Sequence, residues 1–380
     1  MADWSELPRE LLEEILTHFN SSIDASRFTS VCSSWRHLSP SEFNFNGEKN
    51  FPLCFNGISV CKRSILLLSP PQIPIPDSPH NPTSWIIKVE EKGPKRFRIY
   101  FPLSWSQLPL PFNFPRVMDL SNIRIRDIAS EYFLCYTDNT SEFLNLLMEK
   151  VAYLSRSNNS DDFYLLTIYV SGKLALFNNL RNRWHVISDK VDLPYDDVIA
   201  FNGEFYSVDY TGRTVLVGVD DVDTLKLVAK PVCGGDKKRL VEIDGELMLV
   251  DVYFGLPPWE NFSNRRKMED LDECVASRSF WFKVYRLEWE GMNWVEVKDL
   301  GNYVLFLGMY SSFSVLAADI LMEKGNCIYF AFTDNFYPSH FNEANDVFKF
   351  HCGGVFNLED SSITYSNSFW PPPHWIKPCF

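Results

Sequence analysis

Three stretches of the chain share one form: an apolar run, a glycine in a polar break, then a second apolar run. They are YVSGKLALFN around Gly172, AFNGEFYSVD around Gly203 and EIDGELMLVD around Gly245; MEKGNCIYFAF around Gly325 is a looser copy. Asn-Gly and Asp-Gly between β-prone runs are strong signals of a tight hairpin, because a type I′ turn needs positive φ at both central residues. The glycines lie 31, 42 and 80 residues apart, so the last interval has room for one more unit. A second recurring form is strand, polar turn, Trp: LALFNNLRNRWHVIS with Trp184 and VYRLEWEGMNWVEV with Trp294. Repeats of roughly 40–50 residues, each with several strands, are the pattern of β-propeller blades. At that period residues 46–380 predict six or seven blades, with a large antiparallel sandwich as the competing architecture.

Composition agrees with a packed β-rich chain. Hydrophobic residues make up 46% and aromatics 15%, the latter favouring strands. The net charge of −13 argues against nucleic acid or an anionic membrane as the main partner, since counterion release needs a basic surface. Two local basic runs, Lys237-Lys238-Arg239 and Arg265-Arg266-Lys267, are expected to be solvated loop charges. No run approaches the ~20 apolar residues of a membrane span. The acidic, amphipathic N-terminus matches neither a secretory signal nor a transit peptide. The nine cysteines are scattered without a CxxC pair, which predicts reduced thiols in the cytosol or nucleus and no zinc site.

Catalytic motifs are missing from the sequence. It has no GxSxG elbow, no HExxH and no glycine-rich phosphate loop. His351 and Cys352 are adjacent on a predicted strand, so their side chains face opposite ways. The acidic pairs Asp196-Asp197 and Asp220-Asp221 read as solvated turns. The expectation is a protein that is not an enzyme, with no cofactor and no metal.

The first 45 residues differ from the rest. In LPRELLEEILTHF, Leu7, Leu11, Leu12, Ile15, Leu16 and Phe19 fall within an arc of about 180° at 3.6 residues per turn, with Pro8 in the first turn where its missing N–H costs nothing. DASRFTSVCSSWRHLS reads as a second amphipathic helix presenting Phe28, Val31, Cys32, Trp35 and Leu38, with Asp24 as N-cap. Forty residues without metal or disulfide rarely hold a core alone, so part of this apolar surface needs a partner. The fold class expected is therefore a small all-α N-terminal domain (1–45) followed by a large all-β domain (46–380).

These N-terminal residues closely resemble an F-box. The matching positions are Leu7-Pro8, Leu11, Leu12, Ile15-Leu16, Phe28, Val31-Cys32 and Trp35; Ala25-Ser26 depart from the pattern, where many members carry larger apolar residues. The resemblance implies that this face binds a Skp-family adaptor and, through it, a cullin ubiquitin ligase. Further along, SWIIKVEE, DDVIAFNGEFYSVDYTGRTVLVG, FKVYRLEWEGMNWVEVKDLGNYVLFLG and GGVFNLEDSSITY look like the plant F-box-associated family with a KIB-type β-propeller. That implies a propeller presenting a target protein for ubiquitination, in the cytoplasm or nucleus. The alternatives are a ligase-independent interaction scaffold and a small-ligand-binding propeller. Three further segments stand apart: the Pro-rich PPQIPIPDSPHNP, expected to be an exposed loop; a charged insertion over 256–279; and the tail FWPPPHWIKPCF, expected to close the ring across the first blade.

Overall fold

The computed structural model describes residues 4–17, 28–29, 31–36, 48–49, 58–70, 84–93, 96–103, 123–136, 150–156, 162–169, 172–220, 224–254, 280–308, 310–320, 322, 324–332 and 352–364. A helical segment, α1 (Arg9–Thr17) and α2 (Ser33–Arg36), precedes a large array of strands. Among the described residues, no helix is long and apolar enough to cross a membrane.

Among the described residues the strands group into five blades. Blade one contains β2 (Ile58–Ser69), β3 (Trp85–Gly93), β4 (Arg96–Tyr100) and β5 (Arg124–Tyr136), with the short β1 (Glu48–Lys49) added to β2. Blade two is the meander β6 (Val151–Ser155), β7 (Phe163–Tyr169), β8 (Lys173–Asn178), β9 (Arg183–Val186). A single residue pair, Tyr132 with Val151, bonds β5 of blade one to β6 of blade two. Blade three is β10 (Tyr195–Phe201), β11 (Glu204–Asp209), β12 (Thr214–Val217), β13 (Leu225–Ala229). Blade four is β14 (Lys237–Ile243), β15 (Glu246–Phe254), β16 (Phe280–Glu288), β17 (Asn293–Val297). Blade five contains β18 (Tyr303–Leu307), β19 (Ser312–Leu316), β20 (Cys327–Phe332), β21 (Cys352–Asn357) and β22 (Ile363–Thr364), in the order β19-β18-β20-β21-β22.

Each neighbouring pair of blades encloses its own apolar core. Val60, Leu134, Phe163 and Phe177 join blades one and two. Leu166, Leu176, Val198 and Phe205 join two and three. Phe201, Tyr206, Leu249 and Trp294 join three and four. Val250, Phe282, Leu305 and Phe356 join four and five. The ring closes through Ile65, Leu67 and Ile86 of blade one against Phe306, Phe313 and Val315 of blade five. The inner strands of a blade are therefore dry on both faces. Leu249 and Val250 are adjacent on β15 and fully buried, yet they belong to different cores. That is why runs such as LALF and YVLFL are continuously apolar, where a sheet with one wet face would alternate.

Two of the hairpins expected from the glycine pattern are as expected. Asn202-Gly203 (φ +49°, +78°) joins β10 to β11, and Asp244-Gly245 (φ +53°, +75°) joins β14 to β15, both with the positive φ pair of a type I′ turn. Trp184 and Trp294 occupy equivalent places on the outermost strands of blades two and four.

The looser copy at Gly325 is different. It opens β20, which runs parallel to β18, so no hairpin forms there. Gly325 is packed against the neighbouring turn: a Cβ would meet the Gly301 oxygen at 2.6 Å.

Five blades stand among the described residues, where the repeat period predicts six or seven. In sequence, the connections 255–279 and 333–351 fall between β15 and β16 and between β20 and β21. Those connections, the Pro-rich stretch from 71 to 83 and the tail from 365 lie outside the described residues.

Other expectations are corrected by burial. Lys237-Lys238-Arg239 is not a loop charge run: it forms most of the first half of β14, with Lys238 fully buried on Asp251 at 2.6 Å and Lys237 on Asp196 at 3.1 Å. Asp196-Asp197 is not a solvated turn but two buried positions on β10. Asp220 is exposed as expected, held by two 2.7 Å bonds from Arg156. Cys32, Cys233 and Cys327 are reduced thiols, Cys32 Sγ lying 3.0 Å from Ser34 Oγ, but Cys61 on β2 is disulfide-bonded, which the reduced-thiol reading missed.

Candidate functional site

The N-terminal helices form a small closed core. The Pro8 carbonyl accepts bonds from Leu11 N (3.1 Å) and Leu12 N (3.2 Å), starting α1 one residue after the proline. Leu12, Leu16, Phe28 and Trp35 are buried together, with Leu7, Ile15 and Cys32 at the border. The Phe28 and Trp35 rings pack in a tilted pair, centroids 4.4 Å apart and planes at 31°. Trp35 Nε1 donates to the Trp4 carbonyl at 3.1 Å, tying the N-terminal 3-10 turn (Trp4–Glu6) to α2.

The ten predicted site residues thus divide. Leu12, Leu16, Phe28 and Trp35 point into the core, while Pro8, Leu11 and Val31 remain outside, Leu11 51% and Val31 61% exposed. Val31 differs from its predicted place on a continuous second helix. The helix is interrupted between Thr29 and Ser33, which turns Val31 outward. Trp4, 66% exposed, was missed by the sequence reading, because it precedes the leucine-proline turn where the helical pattern begins. The predicted N-cap Asp24, together with Phe19 and Leu38, lies outside the described residues.

A second concavity lies on the ring axis. Residues 128–132 of β5, 150–153 at β6, 198–200 of β10, 310–314 at β19, and Glu242, Asp244 and Gly245 at the end of β14 enclose a cavity of about 570 Å³. All five blades contribute to it. Its wall is backed by buried ion pairs. Lys150 Nζ reaches both oxygens of Asp197, at 3.0 and 3.1 Å, and Asp197 also accepts from Leu240 N at 2.7 Å and Val198 N at 2.9 Å. Arg239 stands 3.9 Å from the same carboxylate. Glu131 pairs with Lys88, and Arg63 bonds Glu90 at 3.3 Å. Burial lowers the Lys150 and Lys88 ammonium pKa values, with Asp197 and Glu131 opposing that shift. Among the described residues no group of three His, Cys, Asp or Glu is placed to hold a metal ion.

The sequence matches the F-box domain over residues 4–45 and the KIB1-4 beta-propeller over residues 62–357. The chain belongs to the KIB1-4 β-propeller family of F-box proteins. It is 38% identical to the F-box protein SKIP23 of Arabidopsis thaliana, over 99% of this chain and 96% of that protein. It is 34% identical to the Arabidopsis F-box protein At2g17036, over 99% and 95% of the two chains. A putative Arabidopsis F-box/kelch-repeat protein, At5g24040, is 26% identical over 99% of both. An F-box domain implies binding to a Skp-family protein in general terms.

Proposed function

We propose that this KIB1-4 F-box protein is the substrate-recognition subunit of a Skp–cullin–F-box ubiquitin ligase. The observation that carries the reading is the exposed apolar set Trp4, Leu11 and Val31 over an already closed helical core. Large apolar side chains left outside a complete core are what a helix-in-groove contact uses. The adaptor takes that face, and cullin joins through the adaptor. The propeller holds the target, so that ubiquitin transfer from the charged enzyme gains from effective concentration and needs no chemistry from this chain.

The division between core and surface decides which substitutions test this. Trp35→Ala removes a core ring and its bond to Trp4, so it reports on hairpin folding. Leu11→Asp with Val31→Asp changes only exposed positions and reports on docking. Loss of such anchors typically costs on the order of 2–4 kcal/mol. Co-expressed with a Skp-family adaptor, the wild-type chain is expected to co-elute with it at one to one in size-exclusion chromatography, and the Leu11/Val31 double variant to elute alone with unchanged circular dichroism. Co-elution of that variant at wild-type level would sink the docking model. An adaptor complex that never recruits cullin would favour a ligase-independent scaffold.

A further inference from the structure

The axial cavity has an unbalanced charge pattern. Its charged wall residues are Glu131, Glu242, Asp244 and Lys150. Lys150, the cavity's one basic side chain among the described residues, is already bonded to both oxygens of Asp197. The acidic groups differ in their exposure, and the Asp244 carboxylate also accepts a bond from the Tyr303 hydroxyl. Glu131 is buried at the inner wall beside Lys88, whereas Glu242 and Asp244 are exposed at the rim. The rim is fixed: Asp244 sits in the type I′ turn, and Ser314 Oγ donates to the Glu242 carbonyl at 2.8 Å, joining blade five to blade four. The wall is also rich in hydroxyls, from Ser130, Ser312, Ser314, Tyr132, Tyr153 and Tyr310. Ser311, 5% exposed, has a buried Oγ with no hydrogen-bond partner. A buried hydroxyl left in that state marks a wall with hydrogen-bonding capacity still unused.

This arrangement suits a group that is positive and donates hydrogen bonds. It does not suit a phosphate. An anion would meet two rim carboxylates, and the cavity's basic side chain is committed to Asp197. We propose that the axial cavity is the target pocket, and that it accepts a lysine or arginine side chain from an extended, unphosphorylated segment of the target. The inference rests on the reading of the propeller as the target receptor, and it adds the chemistry of what is received. The volume of about 570 Å³ exceeds one side chain and leaves room for flanking backbone. The innermost strands β10, β14 and β19 end their sheets, but on β14 the Lys238 and Leu240 N–H groups and the Glu242 carbonyl are already taken by Asp196, Asp197 and Ser314, so it is the side chain of the segment that the pocket reads.

The test uses the full chain in complex with its adaptor, with Ile δ1-methyl groups labelled for NMR. Ile128 and Ile199 stand in the cavity wall and report on occupancy. The probes are N-acetyl-arginine amide, N-acetyl-phosphoserine amide and agmatine. Saturable shifts at the Ile128 and Ile199 methyls are expected with the arginine amide and not with the phosphoserine amide. Glu242→Lys with Asp244→Lys, at exposed positions, is expected to weaken the arginine response at least fivefold, whereas Glu290→Lys on a distant hairpin is expected to leave it unchanged. A response to phosphoserine, no response to either amide, or one indifferent to the rim reversal would overturn the proposal. Agmatine binding more tightly than the arginine amide would replace the peptide with a free amine and overturn it equally. Adaptor co-elution in the same sample separates the two readings: a complex that forms but ignores arginine defeats this inference alone.

Discussion

Asp197 shows what a single residue does in this ring. It has no solvent access, and its two oxygens take Lys150 from blade two, the Leu240 N–H from blade four and its own neighbour's N–H. One carboxylate therefore ties three blades together. Removing one partner of a buried pair leaves an uncompensated charge, which typically costs about 3–5 kcal/mol. Asp197→Ala is expected to lose stability of that order in urea denaturation, with Lys150→Met milder because Asp197 keeps the Val198 and Leu240 N–H bonds and Arg239 at 3.9 Å. Asp189 sets a pH-dependent contribution. Burial works against its carboxylate, but bonds from Tyr195 and Arg213 outweigh that and hold its pKa below the ordinary value. A depressed folded pKa contributes stability that is present above the unfolded value, about 3.9, and is lost as pH falls through the folded one. The stability deficit of Asp189→Asn should therefore be full at pH 6 and narrow below about pH 4. A deficit that is constant down to pH 2 would count against the linkage.

At the scale of elements, the turns separate backbone strain from packing. Gly203 and Gly245 have positive φ, and an added Cβ at either would meet nothing within 4 Å. Alanine there incurs only the left-handed backbone term, roughly 1–2 kcal/mol. Gly325 has no such φ, yet its Cβ would strike the Gly301-Asn302 backbone. Gly325→Ala is expected to lower the melting temperature more than Gly203→Ala does. The reverse order would mean that the β18–β20 crossover gives way easily. The N-terminal hairpin follows the same logic of position. Leu12 and Leu11 are neighbours in sequence, but one is core and the other is surface, so Leu12→Ala should unfold the hairpin while Leu11→Ala should not.

At the scale of the whole molecule, stability depends on closure. The core between blades one and five has Phe306 fully buried, its ring stacked on Phe313 at 4.9 Å and Tyr329 at 5.1 Å. Phe306→Ala should cost about 3–5 kcal/mol, the usual range for a buried ring. Because each blade face is one wall of a shared core, the loss is expected as a shift of one cooperative transition measured by calorimetry. A separate early transition of blade five would show that the ring opens in parts.

The sequence alone determined much of this protein. Asn202-Gly203 and Asp244-Gly245 require positive φ, which only a tight turn of that type satisfies, so two blades were legible before any coordinates. The F-box face was legible because helical periodicity is local. The tertiary structure decided what periodicity cannot carry. Whether Leu11 or Leu12 faces the core depends on where Phe28 and Trp35 arrive, and Val31 is exposed because the second helix breaks. Asp196-Asp197 and Lys237-Lys238-Arg239 looked like surface charge, since a sequence shows each charge without its partner. They are buried because strands far apart in the chain bring carboxylate and cation together. The blade number and the axial cavity are decided in the same way, by which strands become neighbours around a closed ring.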